Sequence, residues 1–399
     1  MIHVSKPTPL SVLMIIENYL PSTGGTERQL AALAGELRAY NVRVEVLTAQ
    51  CCPEWPLREE VAGTRVHRLP YPKVRLLGAV VLFLKVCWFL LTRGRRFHVF
   101  HVHTVSFLAV VTAAVGRALG KAVVLKAAGG WELEDGVLNP ALRRRPLYRA
   151  MLTVLRRADT WVAISTHLRR AMEAAGIPRE RVVMIPNGVD TRRFAPVRPD
   201  TPPAPRAAPA PRVVFVGRLV REKALPVLLQ AWALVHQRVP DARLEIVGDG
   251  PLAQELQTLT EQWGLTSTVR LHGFHADVTP FLQAANVFVL SSYVEGLANT
   301  LLEAMAVSLP VVATRISGSE DVVIDGETGL LVPAGDAAAL ARALGELLEA
   351  PQRALAMGKR ARQRVMEFCS LEQISTAYIR LYEDLLKEGE RLCAASPVS

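Results

Sequence analysis

The sequence predicts an α/β protein built of two doubly wound, Rossmann-like domains facing across a cleft, and three observations carry that prediction. The first is size: 399 residues, half of them hydrophobic, suffice for two or three domains with cores of their own. The second is a pattern, present in each half, of short apolar runs alternating with amphipathic stretches, which is how a parallel sheet with helical crossovers reads. The third is a break in that pattern. Residues 196–212, PVRPDTPPAPRAAPAPR, hold seven prolines in 17 positions with no apolar period, as an extended spacer would.

The elements follow in order. SVLMII (11–16) reads as a strand and TERQLAALAGELRAY (26–40) as a helix, with Thr26 and Gln29 placed for a capping box. Strands are expected at 42–49, 98–104, 121–127 and 159–165, with a last one near Val183–Ile185 and a helix over 107–118. Past the spacer, 212–217, 242–248, 269–273, 286–292 and 309–314 alternate with helices. A final helix opens at Ser370, with Gln373 as its capping partner. The expected domains are thus 1–195, a linker 196–212, a second domain 213–369, and a helix 370–399 that crosses back to the first. Ligands are expected beyond the carboxyl ends of the strands, in the cleft.

Charge divides unevenly. Residues 1–195 carry 28 Lys+Arg against 14 Asp+Glu, while residues 196–399 carry 19 against 23, so the net +10 of the chain arises wholly from the first half. No zinc-finger, RNP-like or basic-zipper pattern accompanies the basic residues, and no nucleic-acid partner is expected. An anionic membrane surface or a phosphate-bearing substrate fits the imbalance better. The five cysteines, at 51, 52, 87, 369 and 393, form no CxxC pair, so neither a disulfide framework nor a zinc site is expected and a reducing cytoplasm fits. The opening MIHVSKPTPL has no apolar h-region of a signal peptide.

The longest apolar run, LLGAVVLFLKVCWFLL (76–91), contains Lys85 and is shorter than the ~20 residues that span a bilayer. It is expected to be a buried crossover helix. Arg68, Lys73, Arg75, Arg93, Arg95 and Arg96 bracket it, and Arg143, Arg144, Arg145, Arg149, Arg156 and Arg157 form a second cluster. Basic rims around apolar faces also suit a peripheral attachment to anionic lipid, on the inner face of the plasma membrane.

Four motifs hold candidate chemistry. In VFVGRLVREKAL (214–225), Gly217 ends a strand and Arg218 and Lys223 follow, two cations suited to hold a diphosphate and stabilise it as it departs. In YVEGLANTLLEAMA (293–306), Glu295 lies in a loop and Glu303 inside the next helix, where Thr300 to Glu303 also fits a capping box. STGGTERQL (22–30) puts Gly24 and Gly25 in a strand–turn–helix junction whose amides can approach a phosphate or sugar. IPNGVDTRRF (185–194) reads only as a turn. His101 and His103 share a strand, one expected in the core and one polar at its end.

These runs, GGTERQLAALAGEL, IPNGVD, GRLVREK, VGDGP and EGLANTLLEAMAVSLPVVAT followed by SEDVVIDGETGLLVPAGD, resemble in order the fourth family of retaining glycosyltransferases, which has the GT-B fold. The likeness is most specific over 213–336. It implies transfer of a hexosyl-type sugar from a nucleotide-sugar to a hydroxyl of a saccharide or lipid-linked acceptor, as in polysaccharide biosynthesis. It further implies that Glu303 holds the donor's ribose and Glu295 lies against the transferred sugar. Arg218 and Lys223 would grip the diphosphate; Asn299, Thr300 and Leu301 would meet it at a helix start. Gly273 and Phe274 would flank the base, and Gly24 and Gly25 would lie between donor and acceptor. Where many members carry a histidine, this chain reads KAAGGWELED, so His103 or Lys126, with Glu132 or Asp135, is expected on the acceptor side instead. Ala224, Ala298 and Ser308 stand where the family commonly has Gly, Pro and Gly. No Asp-x-Asp pattern is present and no metal or other cofactor is expected, since Arg218 and Lys223 supply the positive charge. Two rival readings are a sugar-nucleotide epimerase of the same fold and a catalytically degenerate, membrane-associated partner subunit.

Overall fold

The computed structural model describes residues 9–22, 24–129, 132–133, 135–196 and 210–395. The proline-rich run expected to be the linker therefore lies mostly outside the described residues. The chain divides into two compact units, Met1–Pro186 with Ile374–Ser399, and Asn187–Gln373. The division falls at Pro186, so the NGVD stretch that the sequence reading gave to the first domain belongs to the second unit.

The first unit is an eight-stranded sheet. Its strands are β1 (Ser11–Ile15), β2 (Arg43–Ala49), β3 (Arg58–Val61), β4 (Thr64–Leu69), β5 (Val99–Val102), β6 (Ala122–Ala127), β7 (Thr160–Ala163) and β8 (Val182–Met184). Their order is β3-β4-β2-β1-β5-β6-β7-β8, and every pairing is parallel except β3 with β4. β1 is buried along its whole length, as a continuous apolar run in a parallel sheet must be. Crossovers include α1 (Gly25–Ala39), α2 (Arg75–Arg93), α3 (Phe107–Ala118), α4 (Pro146–Leu155) and α5 (Thr166–Ala174).

Sequence reading did not include the β3–β4 hairpin. Its strands are short and charged, and the turn is made by Ala62 and Gly63, both with positive φ, the backbone that a two-residue hairpin of primed type demands. The capping box expected at Thr26 is also absent. Gly24 is the N-cap and α1 starts at Gly25, which places Thr26 inside the first turn.

The largest departure is α2. The expectation of a buried crossover is half right: α2 does connect β4 to β5, but Leu76, Leu77, Val80, Leu84, Trp88 and Leu91 are all exposed, Leu76 at 78% and Trp88 at 71%. Only its other face, through Val86, Phe89 and Leu90, joins the interior.

The second unit has six parallel strands: β9 (Arg212–Val216), β10 (Arg243–Val247), β11 (Val269–Gly273), β12 (Val287–Leu290), β13 (Val311–Thr314) and β14 (Gly329–Val332), in the order β11-β10-β9-β12-β13-β14. Its helices are α6 (Leu225–Arg238), α7 (Ala253–Gln262), α8 (Thr279–Ala284), α9 (Asn299–Ala306), α10 (Ser317–Val322), α11 (Ala337–Glu349) and α12 (Pro351–Phe368). Trp232 on α6, fully buried, anchors a core shared by β9, β10 and α11, and its indole N–H donates to Thr268 at 3.2 Å. The last helix, α13 (Leu371–Ala395), is capped by Ser370, whose Oγ accepts the Gln373 N–H at 3.4 Å. Its Ile374, Tyr378 and Tyr382 pack into the core of the first unit with Met14, Leu30 and Val124.

Candidate functional site

The carboxyl ends of four adjacent strands in the second unit bring most of the predicted residues to one edge. β11 ends in Gly273, in the left-handed region at φ 72°, followed by Phe274, which is 55% exposed. β10 runs into Gly248 and Gly250, and β9 into Gly217. A side chain at Gly248 would collide with the Gly217 carbonyl, so glycine there is what lets the two strand ends approach. The Leu219 N–H then donates to the Asp249 carbonyl at 2.9 Å and the Gly217 N–H to Val247 at 3.0 Å. GRLVREK and VGDGP are thereby fixed to each other.

β9 and β12 are neighbours, and their ends are pinned together. The Tyr293 N–H donates to the Glu222 carbonyl at 2.8 Å, and Ser291 Oγ donates to the Lys223 carbonyl at 2.7 Å. Lys223 and Glu295 form an ion pair, both side chains about one-sixth exposed at 16% and 15%, and Ser292 Oγ donates to the same carboxylate at 3.0 Å. Arg218 is exposed, and its guanidinium makes no hydrogen bond or ion pair with a described residue. Among the described residues, the edge therefore holds two exposed cations, Arg218 and Arg221, one cation shared with a carboxylate, and a cluster of loop backbone.

The loop after Glu295 enters α9. Ala298 is the N-cap, so Thr300 is inside the first turn and Glu303 one turn further; the alternative of a Thr300–Glu303 capping box is not realised. Asn299 and Thr300 are half-buried at the amide end, Leu301 is fully buried, and Glu303 is half-buried. Asn187 is a residue that sequence reading missed, having taken IPNGVD as a turn. Its Nδ2 donates to the Leu297 carbonyl at 3.2 Å and to Asn299 Oδ1 at 3.0 Å, holding the start of α9. The signal was present, since Asn187 sits in one of the resembling runs, but spacing alone cannot say what an Asn-Gly turn grips.

The first unit presents a different environment. At the junction of β1 and α1, a Cβ on Gly24 would collide with the Glu27 carboxylate, so the acid of the first turn folds back over the glycine. The amide end there already faces an anion of its own helix. His101 and His103 are both fully buried, 4.1 Å apart between ring centroids, so the expectation of a polar strand-end histidine is corrected: both are interior. Tyr382 Oη lies 2.7 Å from His101 Nδ1. Burial, with Lys126 nearby, holds both imidazoles well below their ordinary range, hence neutral. Lys126 is 4% exposed, and burial lowers its ammonium to about 8. Glu132 is buried as well and is committed: its carboxylate accepts the N–H groups of Ala128 at 3.0 Å, Gly129 at 3.1 Å and Val105 at 3.3 Å. Burial outweighs those bonds and raises its pKa. Asp135 is exposed.

Comparison with known proteins places this arrangement. Residues 23–193 match the model of Glycosyltransferase Family 4, and residues 210–350 that of Glycosyl transferases group 1. The chain is 32% identical over 389 residues to a GDP-mannose-dependent α-(1-6)-phosphatidylinositol monomannoside mannosyltransferase of Mycolicibacterium smegmatis, covering 89% of this chain and 94% of that one. It is 34% identical over 237 residues to the lipopolysaccharide core biosynthesis glycosyltransferase LpsE of Rhizobium meliloti, covering 59% and 67%. Among solved structures, HepE of Anabaena in complex with UDP superposes with a TM-score of 0.77 at 21% identity, over 94% of this chain and all of that one. The chain belongs to the family 4, group 1 glycosyltransferases, GT-B enzymes that draw their sugar from a nucleotide-sugar donor.

Proposed function

We propose that the protein is a retaining, metal-independent hexosyltransferase whose donor binds the second unit and whose acceptor, a saccharide or lipid-linked saccharide, meets the first. The observation that carries this reading is the joined edge of β9 and β12, where Arg218, Lys223, Glu295 and the start of α9 lie together. In the proposal, Arg218 and Lys223 bind the donor diphosphate and stabilise the charge that grows on it as the sugar leaves, which is where a site with fixed cations lowers a barrier most. Asn299, Thr300 and Leu301 add backbone N–H donors at the helix start. Glu295, anchored by Lys223 and Ser292, fixes the transferred sugar, Glu303 the ribose, and Gly273 and Phe274 the base. Gly217 keeps the strand end open to the phosphates. With two cations at the leaving group, the transfer needs no metal ion. Lys126 and His103 take the place of the family histidine as supports under the acceptor loop, with Gly24 and Gly25 at its rim; buried as they are, they act through the backbone above them.

The relative that uses GDP-mannose on a phosphatidylinositol mannoside makes GDP-mannose the first donor to test. HepE, solved with UDP, makes UDP-sugars the second. Thermal shift across GDP-, UDP-, ADP- and dTDP-sugars identifies the donor, because a ligand at a hundred times its Kd stabilises by about 2.7 kcal/mol. The anomeric configuration of the product, read by NMR without and with a chelator, tests retention and metal independence. An inverted product, or activity abolished by chelation, rejects those parts of the proposal.

A further inference from the structure

A cavity of about 350 Å³ opens in the second unit, between the sheet and α8. It arises from the brevity of that helix. Six helical residues run about 9 Å, whereas the five-residue strands β10 and β11 run about 16 Å, so α8 cannot roof the face it crosses. Alternation along β10 decides what lines the gap. Leu244 and Ile246 turn into the core with Trp232, which leaves Arg243 and Glu245 on the cavity side. Arg212, which opens β9, and Arg270 on β11 join them, with Phe281 and Ala284 of α8 as an apolar wall.

Three guanidinium groups thus face one carboxylate, and that carboxylate is engaged: His272 Nε2 lies 2.5 Å from Glu245 Oε2. A bulge puts the imidazole there. Ile246 pairs with Leu271 but Val247 with Gly273, so His272 is the extra residue of β11. Arg243 donates to the Ser267 carbonyl at 2.6 Å and to no carboxylate. The guanidinium groups of Arg212 and Arg270 make no hydrogen bond or ion pair with a described residue. Elsewhere in this unit arginines find acids: Arg238 pairs with Glu349, Arg315 with Asp325 and Arg353 with Glu346. Arginines gathered in a hollow without acids match a phosphate, which takes two parallel N–H bonds from each planar fork.

We propose that this cavity binds a small phosphate ester, with Arg212, Arg243 and Arg270 on the phosphate and Phe281 against the organic part. The volume favours an ester over inorganic phosphate, since about 350 Å³ falls within the range of sites that enclose small organic ligands. Arg212 and Arg243 are the first residues of β9 and β10, so the phosphate sits at the amino-terminal ends of strands whose carboxyl ends lead to Gly217 and Gly248. It is a second anion site on the same sheet, separate from Arg218 and Lys223, and it stands independently of which donor or acceptor the enzyme uses.

The test titrates the full chain calorimetrically with glucose 6-phosphate, glycerol 3-phosphate, inorganic phosphate and uncharged glucose. Saturable binding of at least one ester is expected, with weaker binding of inorganic phosphate and none of glucose. Arg218→Ala should leave that binding at the parent value. Arg212→Gln with Arg270→Gln should weaken it by on the order of a hundredfold or more, the loss of two charged hydrogen-bond donors. The melting temperature without ligand should not change, because neither guanidinium has a partner to lose. Arg270→Gln alone, at an exposed position, should still cost about tenfold. No saturable binding of either ester, or binding untouched by the double substitution in a folded protein, overturns the proposal. So does binding lost in Arg218→Ala, which would assign the anion to the donor edge. Inorganic phosphate held as tightly as the esters would make the cavity a free-phosphate site and equally overturn the ligand assigned to it.

Discussion

Lys223 shares its charge with Glu295, whereas Arg218 shares its charge with no described residue, and the difference separates two experiments. Arg218→Ala removes a solvated side chain, so it should leave the melting temperature unchanged while lowering turnover about a hundredfold or more, the usual cost of a lost transition-state donor. Lys223→Ala leaves Glu295 half-buried with only the Ser292 hydroxyl, so it should cost stability as well as rate. Near-parent turnover in Arg218→Ala, measured at saturating donor, would remove the diphosphate role. Glu303→Gln should weaken nucleotide affinity with little change in melting, because the N-cap of α9 is Ala298 and Glu303 lies beyond its first turn, where it is no cap to lose. Lys126 poses the opposite case. Its pKa in the folded chain, about 8, lies below the unfolded value of 10.5, so the unfolded state binds more protons between those two and stability rises across that interval. Below pH 8 the burial penalty is complete. Lys126→Met should therefore stabilise the protein at pH 7, by on the order of 3 kcal/mol, and the advantage should vanish near pH 10.5. If the lysine serves the acceptor side, the more stable variant will be the slower enzyme, the usual exchange where a site holds a strained charge.

Three departures from the family pattern become intelligible at the level of helix ends. Ala224, the N-cap of α6, has φ 49°, and Ser308, just past α9, has φ 64°; both are left-handed positions where glycine is the relaxed choice. Ser308 sits in a Schellman turn: its N–H donates to Met305 at 3.0 Å and the Leu309 N–H to Ala304 at 3.0 Å. Ala298 has φ −69°, which proline would adopt without change. Ser308→Gly should raise stability by roughly 0.5–1 kcal/mol, since relief of the left-handed strain exceeds the extra freedom gained by the unfolded chain. Ala224→Gly should be near neutral, because its methyl is buried and removing it forfeits about 0.8 kcal/mol. Chemical denaturation of the two single variants checks both. Caps are also where sequence reading failed: Ser370 was legible, but at α1 and α9 the helix begins before the threonine that looked like its cap. A backbone turn made by Gly24, or by Ala298 held through Asn187, leaves no side-chain signature to read.

At the scale of the molecule, the parallel strands were legible because a strand buried on both faces is a short apolar block. β3, β4 and β14 were not, the first being charged and at a sheet edge, the second interrupted by Arg65, His67 and Arg68, and the third short and opened by Gly329. The residues proposed for the donor come to one edge because strand ends in one parallel sheet must, but their roles were implied by the resemblance alone and not by spacing. What periodicity could not reveal was solvent: α2 has the composition of a core helix, and only the sheet beneath it decides that half its surface is left over. Nor could it reveal that His101 is bonded to a residue 281 positions away. Deleting the chain from Ile374 onward should therefore melt the first unit while sparing the second, which hydrogen exchange read unit by unit would show.

That last contact sets an order of events during synthesis. A unit made of residues up to Pro186 and again from Ile374 cannot complete its interior until the ribosome has passed Tyr382. The second unit, contiguous in sequence, can fold while the first still waits with β1, β5 and β6 lacking Tyr378 and Tyr382. Translation thus delivers the second unit, the proposed donor-binding body, before the first, and any nascent chain stalled before residue 374 would present an unfinished apolar sheet to the chaperones around it.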